Sequence, residues 1–477
     1  MMKNNKENIL IVDLDGTLLK TDLLFESFWS AVKSNWKILF GLLFIIRQGK
    51  AAIKEYLQLN STIDTTVLPF DGKVIAYINK FRAKGGRTVL ATGSNYVFAE
   101  RISDHLELFD EVYGSDSNTN LVGHAKASFL NFQFGSDTFE YMANSATDLA
   151  VWKISKKNIT VNVSKRVRNA VDNLGVPCEH LVTNKNSIIP YIFLIRPHQW
   201  LKNILIFLPM LTAQQLNYST ALNCFLAFVS ISLAASSTYV FNDLFDTNVD
   251  RQHPRKRFRP LASASVPVTH AVCLCVILLI ASIIFAMVLE TKFLIILAIY
   301  YTFSTMYSIY IKSKIILDIC CLAGLYTLRL VLGGAAANVT ISIWLLTFSI
   351  FLFLCLAAVK RQSELLDLKK RGLDTPLGRG YHVEDIQIIS TSALCAGYAS
   401  VVVMMLYLNS PQVLDVFTYP TPLWCICAIL LYWITRLVLV TQRGFMTDDP
   451  IVFAIKDRAS QGCFLVISSC LIISVWY

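Results

Sequence analysis

From residue 191 to the last residue, apolar stretches of about 18 to 20 residues recur almost back to back, more than any soluble core could bury. Nine candidate spans centre near residues 208, 232, 279, 301, 326, 351, 397, 430 and 468. This predicts an all-α polytopic membrane domain of about nine transmembrane helices, because a helix satisfies its own backbone in lipid. The loops after the second, fourth, sixth and eighth spans carry seventeen Lys and Arg, whereas the opposite loops carry one, Lys292. By the positive-inside rule the basic loops and the amino-terminal part share the cytoplasm, with the carboxyl terminus across the cell (inner) membrane.

Residues 1–189 are built differently: they hold 41 charged residues, against 35 in the following 288. Of the net charge of +10, +7 lies in the second part, where it sets topology and calls for no nucleic-acid partner. With 54% hydrophobic and 16% charged residues, disorder is excluded. Eleven of the twelve cysteines lie beyond residue 189, scattered through apolar segments, and read as core thiols. The polar opening residues and the short run 9–12 do not form a cleavable signal, which keeps this part cytoplasmic.

Short apolar runs at 9–12, 87–91, 139–143 and 159–163 read as buried parallel strands, with helical stretches at 72–84 and 95–105 between them. The alternation predicts an α/β doubly wound domain over 1–175, whose ligands bind at the strand carboxyl ends, where Asp13, Thr92 and Asn144 lie. A helix-like insertion predicts a cap at about 23–70. Its apolar run 38–46 is too short to span a bilayer, and a helix leaning on the membrane is the competing reading. Residues 176–190, polar and unpatterned, read as a linker to a membrane domain over 191–477.

The first strand runs into Asp13-Leu14-Asp15-Gly16-Thr17, two carboxylates that can divide attack and proton transfer. With Thr92, Lys126 and the segment Ala143-Asn144-Ser145-Ala146-Thr147-Asp148 following in order, residues 8–165 resemble the haloacid-dehalogenase superfamily of phosphatases. That resemblance implies Asp13 as nucleophile, Asp15 as general acid/base, Thr92 as phosphate donor and Lys126 as charge stabiliser. It also implies Mg²⁺ between Asp13, the Asp15 carbonyl, Asn144 and Asp148. The family's Gly-Asp reads Ala143-Asn144 here, which removes one anionic ligand and weakens the metal site. A working phosphatase and a binding relic both remain open.

The second span closes on Asn242-Asp243-x-x-Asp246-x-x-x-Asp250. At ~100° per residue the three carboxylates share a ~60° arc of one helix face, with Asn242 at its edge. Stacked at a helix carboxyl end they call for a cation, and Mg²⁺ bridging to a diphosphate meets that need. The basic run that follows offers Arg257 and Arg259 as phosphate clamps. Further polar groups are Lys312 and Asp318 between the fourth and fifth spans, and Lys360, Arg361, Glu364 and Tyr381 after the sixth. Arg329, inside a span and nearly on the Asp318 face, must meet water, an anion or a carboxylate.

Together these features resemble the UbiA superfamily of polyprenyl transferases over 191–477. Arg196-Pro197-His198-Gln199-Trp200-Leu201-Lys202-Asn203, Lys360-Arg361-x-x-Glu364 and Asp448-Asp449-Pro450 look like its decaprenyl-phosphate phosphoribosyltransferase branch. The chain departs from aromatic prenyltransferases at their second Asp-rich motif, where Asp318 is followed by Leu322 instead of a second Asp. The resemblance implies an Mg²⁺-dependent transferase in which Asp243, Asp246 and Asp250 hold the metal and Asp318 joins them catalytically. Substrate contacts fall to Lys202, Asn242, Arg257, Arg259, Lys312, Arg329, Lys360, Arg361, Glu364 and Tyr381.

The reaction expected is phosphoribosyl transfer from phosphoribosyl pyrophosphate to polyprenyl phosphate. Prenyl transfer from a polyprenyl diphosphate to an aromatic or other acceptor is the alternative, and a transporter or lipid-binding protein stands in a different class. A transporter places its polar groups near the bilayer midplane, whereas these crowd one interface. The partners are thus a polyprenyl lipid and a pyrophosphate-bearing substrate, with the oligomeric state open. The amino-terminal domain is a phosphatase on the product or a relic that binds.

Overall fold

The computed structural model describes residues 8–116, 119–184, 187–375, 379–413, 417, 419–446 and 449–476. The chain divides into two compact units, one of Met1–Leu194 with Asp243–Val272 and one of Ile195–Asn242 with Cys273–Tyr477.

The first unit is built on six parallel strands, β1 (Ile9–Val12), β2 (Arg87–Asn95), β3 (Glu111–Ser115), β4 (Phe139–Ala143), β5 (Lys157–Val161) and β6 (Cys178–Leu181), in the order β3-β2-β1-β4-β5-β6. β1 lies centrally, Ile9 opposite both Arg87 and Phe139, and its alternation feeds two cores. Leu10 and Val12 join Leu90, Met142 and Ile159 on one face, while Ile11 joins Val89, Tyr141 and Trp152 on the other. The doubly wound sheet is the one the alternation predicts, but both edge strands are additions. β3 and β6 are only half-buried and carry charged residues, so neither shows an apolar run. β6 also falls within the stretch read as a linker, correcting that reading.

Between β1 and β2 the chain inserts the helical cap: α1 (Leu23–Ser34), α2 (Ile38–Ile45) and α3 (Lys50–Asn60). Asp22 caps α1 by accepting from the Leu24 N–H, one of the amides left over at a helix start. The remaining helices of the sheet domain are α4 (Gly72–Arg82), α5 (Tyr96–Leu106), α6 (His124–Phe134), α7 (Leu149–Trp152) and α8 (Lys165–Asp172).

After α9 (Ile189–Ile195) comes a 3-10 stretch, Pro197–Phe207, and a short α10 (Leu208–Thr212). The span expected near residue 208 is therefore a broken helix, since Pro197 and Pro209 remove backbone donors and Arg196 turns left-handed at φ +56°. Seven helices among the described residues are long and apolar enough to cross a membrane. They start at α11 (Tyr218–Gln252), α12 (Val268–Met287), α13 (Thr291–Ile309), α14 (Leu317–Ala337), α15 (Ile343–Lys370), α16 (Ile386–Leu408, entered through a 3-10 turn from Val383) and α17 (Leu423–Gln442). After the short α18 (Pro450–Lys456) comes α19 (Arg458–Trp476), with a shorter apolar stretch over Arg458–Ser474. Among the described residues the nine expected spans thus become seven helices of spanning length, a broken first segment and a last helix whose apolar stretch is Arg458–Ser474.

α11, with 35 residues, is roughly 50 Å long and belongs to both units. Its middle is rich in small residues, which let helices approach closely: Ser230 and Ser282 each donate to the other's carbonyl at 2.9 and 2.8 Å. The same closeness governs α14, where a Cβ on Gly333 would lie 2.2 Å from the Ile206 carbonyl oxygen. Backbone cannot step aside as a side chain can. Gly333→Val should therefore cost about 1–3 kcal/mol or more, read as a lower unfolding midpoint in detergent, while the same change at Gly324, where nothing lies within 4 Å, should cost far less.

Candidate functional site

At the carboxyl ends of β1 and β4 the first unit gathers a buried ionic group. Lys126, from the first turn of α6, donates to Asp13 Oδ1 at 2.7 Å and to the Tyr141 hydroxyl at 3.0 Å, and Tyr141 donates to Asp148 Oδ1 at 2.8 Å. Burial opposes the charge on Lys126, but Asp13 and Asp148 outweigh it and raise its pKa. Burial, then the charge of Asp13, pushes the Asp148 carboxyl up to about 6. Gly16, at φ +70°, turns the Asp13–Asp15 loop tightly under Asn144, whose Nδ2 lies only 2.0 Å from where a Cβ would stand.

Asp15 accepts from Ser94 Oγ at 2.5 Å and from the Leu23 N–H at 2.9 Å. Burial, aided by the charge of Asp22, nevertheless lifts its carboxyl to about 7. Thr92 is buried and accepts from the Ser94 N–H, so Ser94 is the residue that reaches Asp15. Sequence reasoning missed it, although it lies two positions beyond Thr92. It also missed Lys54, which α3 of the cap aims at the Gly93 carbonyl (2.5 Å) and Asn120 (2.8 Å). Burial lowers the Lys54 pKa. No motif marks a lysine that reaches the site from an inserted cap.

The end of α11 carries the second group. Asp243 and Asp250, both buried, lie 3.3 and 2.6 Å from the same Arg259 nitrogen. Burial opposes the Arg259 charge, and the two carboxylates overcome it, raising its pKa. Asp246 pairs instead with Lys33 of α1 at 3.3 Å. Of the basic run, Arg259 reaches the carboxylates, Arg257 lies over the Phe258 ring, and Arg251 makes a buried two-toothed pair with Glu26 at 2.6 and 3.1 Å.

The second unit holds three further polar groups. Lys312 donates to Asn242 Oδ1 at 3.2 Å. Asp318 is fully buried and accepts from Arg361, also fully buried, from the Tyr381 hydroxyl at 2.5 Å and from Arg379 at 3.4 Å. Glu364 pairs with Arg361 and lies 3.5 Å from Arg379. With Leu at 322 in place of a second carboxylate, Asp318 is the anchor of two arginines.

Lys202 reaches Asp449 at 2.5 Å and Lys360 lies 3.5 Å from the same oxygen, beside a small cavity lined by Tyr326, Leu356 and Pro450. Burial would raise the Asp449 pKa, yet Lys360 and Lys202 bring it down to about 2. Asp449 belongs to the Asp448-Asp449-Pro450 motif and was not singled out as a site residue; Asp448 lies outside the described residues. Arg329 does not reach Asp318. Its guanidinium donates to Asn203 (2.9 Å), the Leu325 carbonyl (2.8 Å) and Tyr300 (3.0 Å), and lies over the Tyr300 and Tyr326 rings. Neutral acceptors and aromatic faces on other segments thus hold this guanidinium, a set that the helical spacing of one segment could not reveal.

Known proteins resemble this chain over most or part of its length. The uncharacterized protein y4nM of Sinorhizobium fredii is 30% identical over 98% of this chain and 91% of its own length. The nodulation protein NoeC of Azorhizobium caulinodans is 34% identical over 59% of this chain and 92% of its own. The decaprenyl-phosphate phosphoribosyltransferase of Mycolicibacterium smegmatis is 31% identical over 59% of this chain and 91% of its own. The UbiA prenyltransferase family matches residues 204–447. A doubly wound domain with a helical cap is here joined to a multi-pass membrane transferase domain, and the chain belongs to the UbiA prenyltransferase family.

Proposed function

We propose that the membrane unit transfers the phosphoribosyl group of phosphoribosyl pyrophosphate to a polyprenyl phosphate. The bond from ribose C1 to pyrophosphate breaks, a lipid phosphate oxygen bonds to C1, and pyrophosphate leaves. The observation that carries this reading is the state of Asp318. Two arginines and a tyrosine occupy it, so one acidic cluster remains where a prenyl diphosphate donor calls for two. Likeness to the mycobacterial enzyme supports the same choice. Prenyl transfer to an aromatic acceptor fits less well.

Asp243 and Asp250 aim oxygens at one cation, which suits Mg²⁺, with Asp246 on the same helix face. Such an ion, when bound, would neutralise the pyrophosphate. Lys202 and Lys360 give the cavity beside Asp449 its positive charge, and Asp318 and Glu364 hold Arg361 and Arg379 in place. The proposed setting is the cell membrane, with the basic loops and the sheet domain, β6 included, on the cytoplasmic face, joined to the membrane domain over 191–477 through the residues between β6 and α9.

For the amino-terminal domain we propose phosphatase action on the lipid product. Asp13 attacks phosphorus, the ester oxygen leaves with the proton of Asp15, and water then releases phosphate from Asp13. Lys126 offsets the charge on Asp13, and the Asn144 amide set against Gly16 can complete an oxygen site for Mg²⁺. The raised pKa of Asp15 favours this over a relic, since a buried acid that keeps its proton near neutrality can donate it.

Asp243→Ala and Asp246→Ala should each lower transfer of labelled phosphoribose in membranes by roughly 10²–10³-fold, with the protein still inserted. Incorporation of a labelled prenyl group into an aromatic acid, with none from phosphoribosyl pyrophosphate, would overturn the choice of donor. Hydrolysis of the product phosphate by wild type should fall as the pH rises through about 7, where Asp15 loses its proton, and Asp13→Asn should leave the phosphate intact. The sign for stability agrees. The raised Asp15 pKa stabilises the fold below about 4 and loses that effect up to about 7, so Asp15→Asn should gain thermal stability over wild type across that window and hold it above.

A further inference from the structure

The cap carries a surface that neither proposed reaction uses. α2 reads Ile-Leu-Phe-Gly-Leu-Leu-Phe-Ile, and only Ile38 and Leu42 turn inward, against Ala31 and Leu57. On the opposite arc Trp36, Leu39, Phe40, Leu43 and Phe44 are exposed, Phe44 at 76%. Five large apolar side chains on one arc are more than a soluble surface ordinarily leaves bare. The charge around them has one sign: residues 27–54 contain no Asp or Glu, and Lys37, Arg47 and Lys50 are exposed at the two ends of the helix.

The position of α2 supplies the partner. α1, which ends at Ser34, packs on the last turns of α11, a helix long and apolar enough to cross a membrane. Glu26 holds Arg251, Trp29 packs edge-on against Phe245 with ring centres 5.2 Å apart, and Lys33 holds Asp246. α2 therefore begins a few residues from the point where α11 emerges from the apolar zone. Its eight residues span roughly 12 Å, against ~30 Å of hydrocarbon, too short to cross.

We propose that α2 is an interfacial helix, which sinks Phe40, Leu43 and Phe44 among the acyl chains of anionic phospholipid while Lys37, Arg47 and Lys50 meet the headgroups. Basic flanks favour this occupant over a second copy of the same face, where like charges would oppose each other. The inference does not depend on which group the membrane unit transfers.

A photoreactive benzoylphenylalanine placed at Phe44 in the full chain tests it, with the same residue at Phe132, an 89%-exposed position on α6, as control. Irradiated in vesicles of phosphatidylethanolamine and phosphatidylglycerol, the protein labelled at position 44 should gain phospholipid adducts by mass spectrometry, and that labelled at 132 none. With K37E/R47E the yield at 44 should fall at least about threefold. If position 44 alone fails to give folded protein, Leu43, also exposed, takes its place. Adduct yields no higher at 43 or 44 than at 132, or crosslinks to a second chain in place of lipid, would overturn the proposal.

Discussion

A charge taken out of water needs a partner of opposite sign, and much of this protein's architecture follows from that requirement. In the helical unit Asp318 and Arg361 have no exposed surface, and Arg379, Glu364 and Tyr381 complete their ring. The ring ties the start of α14 to the middle of α15 and to the loop after it. Lys202, Lys360 and Asp449 do the same for the broken first segment, α15 and the start of α18. Breaking one partner of such a set typically costs about 3–5 kcal/mol, because the survivor stays buried and charged. The cations of the candidate site are thus held in place by the chain's own carboxylates.

The same rule organises the end of α11. Three carboxylates on one helix face repel one another, and each draws in a cation from elsewhere in the chain: Arg259 for Asp243 and Asp250, Lys33 of the cap for Asp246. One turn on, Glu26 holds Arg251 through both oxygens and also accepts from Thr21, whose carbonyl receives the Gly16 N–H. A chain of hydrogen bonds therefore runs from the Asp13–Asp15 loop to the helix that carries the acidic motif. In a fused protein this gives the cap a reason to stay packed there.

Legibility varied with burial. β1, β2, β4 and β5 show as apolar runs because both faces of a central parallel strand are covered. β3 and β6 lie at the edges, half-exposed and charged, and leave no such trace. The acidic motif on α11 was legible because three carboxylates at helical spacing after an apolar span have few other uses. Partner choice was not: Arg329 looked aligned with Asp318, yet it found Asn203 and Tyr300 on other segments.

The amino-acid sequence by itself determined the two classes of structure, the order of their main elements and the acidic motif that closes the long helix α11. These are local properties: hydrophobic period, segment length, and charge next to an apolar run. Only the tertiary structure decided which charges pair, that Asp318 anchors arginines, and that Lys54 and Lys33 come from the cap. It also decided that the first span breaks at its prolines and that α2 turns its aromatic side outward. Each of these depends on groups distant in sequence competing for one partner, a contest settled by distance and burial once the helices have packed.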